Sequence, residues 1–133
     1  MQPEVKEAWL KALRSGEYQQ GTGCLRKDDT YCCLGVLCDV YDKQEVGLGE
    51  SRWKFVPEYK LGGLLYGEAT VVKAHYRYQD QPEILPYDVK KWAGLKDRSP
   101  SFVDDTQLSK TLAALNDDGY TFNQIADVIE KHF

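Results

Sequence analysis

The sequence predicts an α+β domain in which a small antiparallel sheet packs with an N-terminal helix and a C-terminal helical hairpin. Three observations lead there. An apolar stripe of helical period opens the chain, alternating strand-like segments fill its middle, and a second helical period closes it. Helix, then strands, then helices is the order of an α+β fold; a doubly wound sheet would alternate the two.

Taken in order, Pro3 to Ser15 reads as a helix. Val5, Ala8, Trp9, Ala12 and Leu13 make one apolar stripe, Pro3 suits the first turn, and Gly16 offers a left-handed stop. Cys24–Arg26 and Thr30–Cys32 are short strands around a turn at Lys27-Asp28-Asp29. Cys33 to Tyr41 is expected to be a buried helix on the shared face of Leu34, Leu37, Cys38 and Tyr41. Asp42 to Glu50, with Gly47 and Gly49, reads as a loop, and Arg52 to Val56 as a strand. Gly62, Gly63 and Gly67 punctuate the next stretch. Ala69 to Gln79 alternates well enough to be one long strand, with Val71, Lys73, His75 and Arg77 on one face and Val72, Ala74, Tyr76 and Tyr78 on the other. Pro86 to Ala93 is a short helix stopped at Gly94. Leu108, Leu112 and Leu115 then line a helix ended by Gly119, and Thr121 to Gln124 forms a capping box for the last one.

With 133 residues, 42% of them hydrophobic, the chain suits one domain spanning residues 1–133. Its net charge of −4 disfavours non-specific binding to long nucleic acid, which draws on many cations, but leaves room for one compact nucleotide held by a local basic cluster. No stretch approaches the ~20 apolar residues of a membrane helix. Met1-Gln2-Pro3-Glu4 has no charged-then-apolar leader pattern, so a cytoplasmic location with no membrane partner is expected.

Cys24, Cys32, Cys33 and Cys38 lack the paired spacing of a zinc site and read as buried apolar residues. His75 is the one interior histidine on which a hydrolytic centre could rest, and no glycine-framed nucleophile elbow accompanies it. Asp28-Asp29, Asp104-Asp105 and Asp117-Asp118 fit a turn, a helix start and a helix stop. Lys73, His75 and Arg77 alternate along a strand at about 6.5–7 Å, a spacing that suits the phosphates of a pyrophosphate or a cyclic dinucleotide. The same run could instead be a solvated edge whose cations oppose aggregation. Tyr31, Trp53 and Tyr18 are candidate stacking partners. Arg14, at the start of Arg14-Ser15-Gly16-x-Tyr18-x-Gln20-Gly21, could serve the end of its helix or approach a ligand, and Arg26 is a further basic candidate.

Three segments together resemble a family of small phage and prophage proteins. They are Trp9 to Gly21, Tyr31-Cys32-Cys33-Leu34-Gly35-Val36-Leu37-Cys38, and Leu115-Asn116-Asp117-Asp118-Gly119-Tyr120-Thr121-Phe122 continuing through Ile125-Ala126-Asp127 to Glu130. The resemblance covers both ends of the chain and little of its middle, and carries over no catalytic residue. By analogy with phage anti-defence "sponges", it implies a non-enzymatic protein. Such a protein sequesters a nucleotide messenger of Thoeris- or CBASS-type immunity, either ADP-ribose-derived or a cyclic dinucleotide. The expected contacts are Arg14, Arg26, Tyr31, Trp53, Lys73, His75 and Arg77, in a homo-oligomer with no cofactor and no metal. The alternatives are a phage effector that binds and inhibits a host enzyme, and a small nucleotide hydrolase using His75.

Overall fold

The computed structural model describes residues 1–46, 49–62 and 70–133. Helix α1 (Pro3–Arg14) buries Val5, Trp9 and Leu13, the stripe its sequence predicts. It lies against the last helix, α5 (Phe122–His132), which buries Phe122, Ile125, Ala126 and Ile129. Thr121 caps α5: its side chain accepts from the Gln124 backbone N–H, and the Gln124 side chain accepts in return from the Thr121 N–H. Among the described residues no helix is long and apolar enough to cross a membrane.

The central element is α2 (Cys33–Val46). It runs further than expected, because Asp42 to Val46 continue the helix instead of opening a loop. The reason is tertiary. Asp42 is buried on the helix face toward the sheet, where it accepts from Tyr78 Oη, Ser51 Oγ and the Arg52 N–H. Asp39, one turn earlier, accepts from Trp53 Nε1 at 3.1 Å and from Tyr18 Oη. Two buried carboxylates thus clamp the helix to strands that follow it. Gly47, on which the loop reading partly rested, lies outside the described residues, as do Gly63, Gly67 and Ala69.

The main sheet has the order β1-β3-β2-β7-β4, with β1 (Gln19–Gln20), β2 (Arg26–Lys27), β3 (Thr30–Tyr31), β4 (Trp53–Val56) and β7 (His75–Tyr78). It is mixed, since β1 pairs parallel to β3 and the other pairs are antiparallel. The expected long strand from Ala69 to Gln79 is divided. Its first part, β6 (Thr70–Val72), pairs with β5 (Tyr59–Leu61) as a separate hairpin; its second part, β7, joins β2 and β4. Alternation cannot reveal such a change of partner, because period 2 persists across the break at Lys73-Ala74.

The second correction lies near the C-terminus. Leu108 is 60% exposed and belongs to no helix. It sits in the turn of a two-stranded hairpin, β8 (Ser101–Val103) and β9 (Ser109–Thr111), and helix α4 (Leu112–Asp117) begins only after it. Asp104, expected to precede a helix, organises this turn instead. Its Oδ1 accepts from the Thr106 N–H, the Thr106 hydroxyl and the Leu108 N–H. These bonds hold the carboxyl well below the usual carboxylate range. Helix α3 (Tyr87–Ala93) ends at Gly94 in the left-handed conformation, with φ 70°.

Candidate functional site

The register of β7 sorts the predicted contacts onto two faces of the sheet. Arg26 pairs directly with Tyr31 and with Tyr76, and Tyr76 pairs with Phe55, so these four side chains form a row on one face. Lys27, His75 and Arg77 are their sequence neighbours and project from the other. On that second face an open cleft of about 400 Å³ is lined by Lys27, Tyr59, Lys73, His75, Arg77 and Glu83, among others. That volume lies in the range of small-molecule sites. A hollow between the β8–β9 hairpin and α5 holds about 280 Å³ and mixes Asp104, Asp105 and Asp127 with Lys110 and Lys131.

Within the cleft, Arg77 and His75 form a rigid pair. His75 is buried, its Nδ1 2.8 Å from the Lys73 carbonyl oxygen and its Nε2 3.0 Å from Arg77 Nε. Arg77 Nε–H can only donate, so Nε2 accepts and Nδ1 donates, the pattern of a neutral ring protonated at Nδ1. The guanidinium is held by its Nε and leans toward Tyr59 Oη, 3.4 Å from Nη2. This leaves donors on the guanidinium end to meet an oxyanion. Lys73 is 70% exposed and meets Glu58 only at 3.9 Å, an ion pair loose enough to exchange.

The other predicted contacts lie elsewhere. Arg26 sits on the opposite face, its guanidinium carbon 4.2 Å from the Tyr76 ring centroid, 5.2 Å from Tyr31 and 5.5 Å from Trp53. Trp53 is buried and anchors the sheet to α2 through Asp39, while Tyr31 meets Tyr18 and Trp53 edge-on. Arg14 projects from α1 onto α5, where it pairs with Asp127 at 2.8 Å and Glu130 at 3.0 Å. The structure therefore brings Lys73, His75 and Arg77 together and separates them from Arg14, Arg26, Tyr31 and Trp53.

The cleft also contains residues that no sequence motif marks. Lys27 falls in the expected turn, yet its place next to Arg26 on a strand puts it on the opposite face. Tyr59 belongs to a hairpin whose signal, Tyr59-Lys60-Leu61 facing Thr70-Val71-Val72, was obscured by the glycines between. Glu83 follows the turn after β7, where no motif marks it.

The cysteines are placed for packing. Cys32, Cys33 and Cys38 are buried, and burial pushes the Cys32 thiol up to about 11 and raises the other two well above the ordinary thiol value. Cys24 is half-buried at the cleft wall, and its thiol too is raised, chiefly by burial, with Lys27 opposing the shift. Thiols held in this protonated state are poor nucleophiles. Among the described residues, no three His, Cys, Asp or Glu side chains converge as a metal site.

The three segments singled out by resemblance in the sequence meet in one polar knot, and Gly21 of that knot runs directly into Thr22, Gly23 and Cys24 of the cleft wall. Asn116, 1% exposed, accepts from the Cys33 N–H and from Gln20 Nε2, and donates to the Gly21 carbonyl. Gln20 Oε1 accepts from the Phe122 N–H, and Trp9 Nε1 donates to the Cys33 carbonyl. No curated protein and no solved structure matches the chain. A family profile does match, across residues 1–133, and by that match the chain belongs to the family described as Domain of unknown function (DUF8296).

Proposed function

We propose that the chain holds a phosphorylated nucleotide in the cleft beside β7 and sequesters it unchanged. In this reading it acts as a phage anti-defence protein in the cytoplasm of an infected bacterial cell, removing an ADP-ribose-derived or cyclic dinucleotide immune signal. One observation carries the proposal: Lys27, Lys73 and Arg77 converge on a single cleft, with the Arg77 fork held in place by His75. Among the described residues of the wall, three cations against the one carboxylate of Glu83 suit phosphate. The Tyr59 ring at the same wall offers a surface for a base.

Retention without turnover fits the state of the groups present. Both nitrogens of His75 are engaged, so it would have to release Arg77 before acting as a base. Titration calorimetry with ADP-ribose and with cyclic di-AMP, followed by chromatography of the released ligand, tests the reading. The expected result is binding, intact ligand, and a loss of affinity of roughly tenfold or more in Arg77→Ala. No heat from either ligand, or full affinity in Arg77→Ala, would overturn it; cleaved product would move the protein to the hydrolases. The row of Arg26, Tyr31, Tyr76 and the 55% exposed Phe55 favours a second reading, a host protein docked on the opposite face. A stoichiometric protein complex with no nucleotide binding would support that one.

A further inference from the structure

We infer that Glu83 is a specificity residue of this cleft, accepting hydrogen bonds from the vicinal 2′,3′-diol of a linear nucleotide; the inference rests on the cleft being a nucleotide site. Glu83 is the one carboxylate among the described residues that line it. A carboxylate beside phosphate-binding cations weakens phosphate binding through like charge unless the ligand brings it donors. Among the described residues it has no hydrogen-bond or ion-pair partner; Lys27, on the same wall, is not within 4.0 Å of it. Both charges nonetheless act on the Cys24 thiol, which burial raises, Lys27 lowers and Glu83 raises, so Cys24 lies within reach of each.

The backbone on either side of Glu83 is tied, while its side chain is exposed. The Pro82 carbonyl accepts from the Leu25 N–H at 2.7 Å, and the Leu85 N–H donates to the Arg98 carbonyl at 2.9 Å, so the backbone is tied on both sides. Tyr78 and Gln81 close the preceding turn with two backbone bonds. Such a segment holds the root of an exposed side chain at the rim of the cleft, so that the two acceptor oxygens of Glu83 are within reach of a ligand lying along Lys27, Lys73 and Arg77.

Within an adenine nucleotide, the group that matches two acceptor oxygens is the ribose diol, with two adjacent O–H donors. Phosphate has only acceptors at neutral pH, and adenine offers a single amino group flanked by acceptors. A 3′–5′ cyclic dinucleotide has its 3′ oxygen esterified and presents a single hydroxyl per ribose. Glu83 therefore favours linear nucleotides, the ADP-ribose class, over cyclic ones.

The test compares ADP with 2′,3′-dideoxy-ADP, which share base and phosphates, with cyclic di-AMP and inorganic pyrophosphate as further probes, on the native chain, Glu83→Gln and Glu83→Ala. The native chain is expected to prefer ADP over the dideoxy compound by roughly tenfold, the worth of a hydrogen bond to a charged group. It should also prefer ADP over cyclic di-AMP. Both variants should reduce these preferences to about twofold or less while binding pyrophosphate at least as tightly as the native chain. Preferences retained in the variants, or equal tightening of ADP and dideoxy-ADP, would show Glu83 to be a repelling charge only. Pyrophosphate binding with no diol preference in the native chain would sink the role of Glu83 and leave the cleft reading standing. Failure of every probe to bind would remove both.

Discussion

The polar knot around Asn116 and the basic cleft beside β7 use similar side chains to opposite ends. In the knot, amide oxygens and nitrogens are spent on the protein itself: Asn116 serves Cys33, Gln20 and Gly21, and Gln20 serves Phe122. In the cleft, Lys73 is 70% exposed with one loose partner, and Arg77 keeps donors in reserve. A buried polar group must be satisfied internally, whereas a binding group must not be. The two regions also divide the sequence. The segments singled out by resemblance lie in the knot, while the cleft draws on Thr22 to Cys24, Lys27, Tyr59 and residues between Val72 and Glu83. Motif resemblance here reports how the scaffold is tied, and says little about what the cleft holds.

The strongest way to break this division is to damage the scaffold and watch the cleft. A methyl group on Gly35 would stand 1.8 Å from the Leu25 carbonyl oxygen, a backbone atom that cannot move aside cheaply. Gly35 is present because the first turn of α2 meets the Leu25 backbone, just before β2, at contact distance. Gly35→Ala is expected to destabilise by about 3 kcal/mol or more in urea unfolding, and nucleotide binding to fall only through the loss of folded protein. Next in size is Asn116→Ala. It leaves the Cys33 N–H without its acceptor inside the core and should cost about 2–4 kcal/mol. Arg77→Ala, measured the same way, removes the donor to His75 Nε2 at the wall of an open cleft, where water can replace it, and should cost about 1 kcal/mol or less. Equal losses at Asn116 and Arg77 would erase the distinction between the two regions.

What was legible in the sequence follows the same line. Helices α1 and α5 show plainly, because their periods, caps and stops are local: Trp9 and Ile125 fall where the stripe puts them, and Thr121 forms its box. Strand β4 and the turn around Asp28 are local too. The errors arise where long-range partners decide. Asp42 extends α2 because Tyr78 and Ser51 reach it from the sheet, and the Thr70–Tyr78 stretch breaks because β5 and β4 compete for it. For the site, alternation was enough to group Lys73, His75 and Arg77. It could not show that Arg26 and Tyr31 lie on the far side of the sheet, since that depends on pairing with Tyr76. Glu83 carries no pattern at all.

A smaller effect separates the regions by pH. Burial first, then the hydrogen bond to a buried carboxylate, raises the phenols of Tyr18 and Tyr78 above their usual 10.0. Folding thus favours the protonated phenols. Their contribution is whole below about pH 10 and is lost as the pH climbs beyond it, and Cys32, raised from 9.0 to about 11, adds the same sign from about pH 9 upward. The melting temperature should therefore hold level from neutral pH to about 9 and then fall. Tyr78→Phe should make that fall shallower. A fall of the same steepness in Tyr78→Phe would show that the contact between α2 and the sheet is not what titrates.

The smallest expected effect concerns Arg14, the predicted contact that lies furthest from the cleft's logic. Its guanidinium bridges α1 to Asp127 and Glu130 of α5, and those hydrogen bonds raise its pKa further. Both partners are well exposed, so solvent screens the pairs and Arg14→Ala should lower the melting temperature by about 4 °C or less. Nucleotide affinity should not change, because Arg14 is absent from the cleft wall. Arg14 and Arg77 are both held by neighbouring side chains, and they differ in what those neighbours leave free. Asp127 and Glu130 neutralise Arg14, whereas neutral His75 orients Arg77 and leaves its charge intact. A tenfold loss of nucleotide affinity in Arg14→Ala would mean that the ligand lies on the helices, and the assignment of the cleft would fall with it.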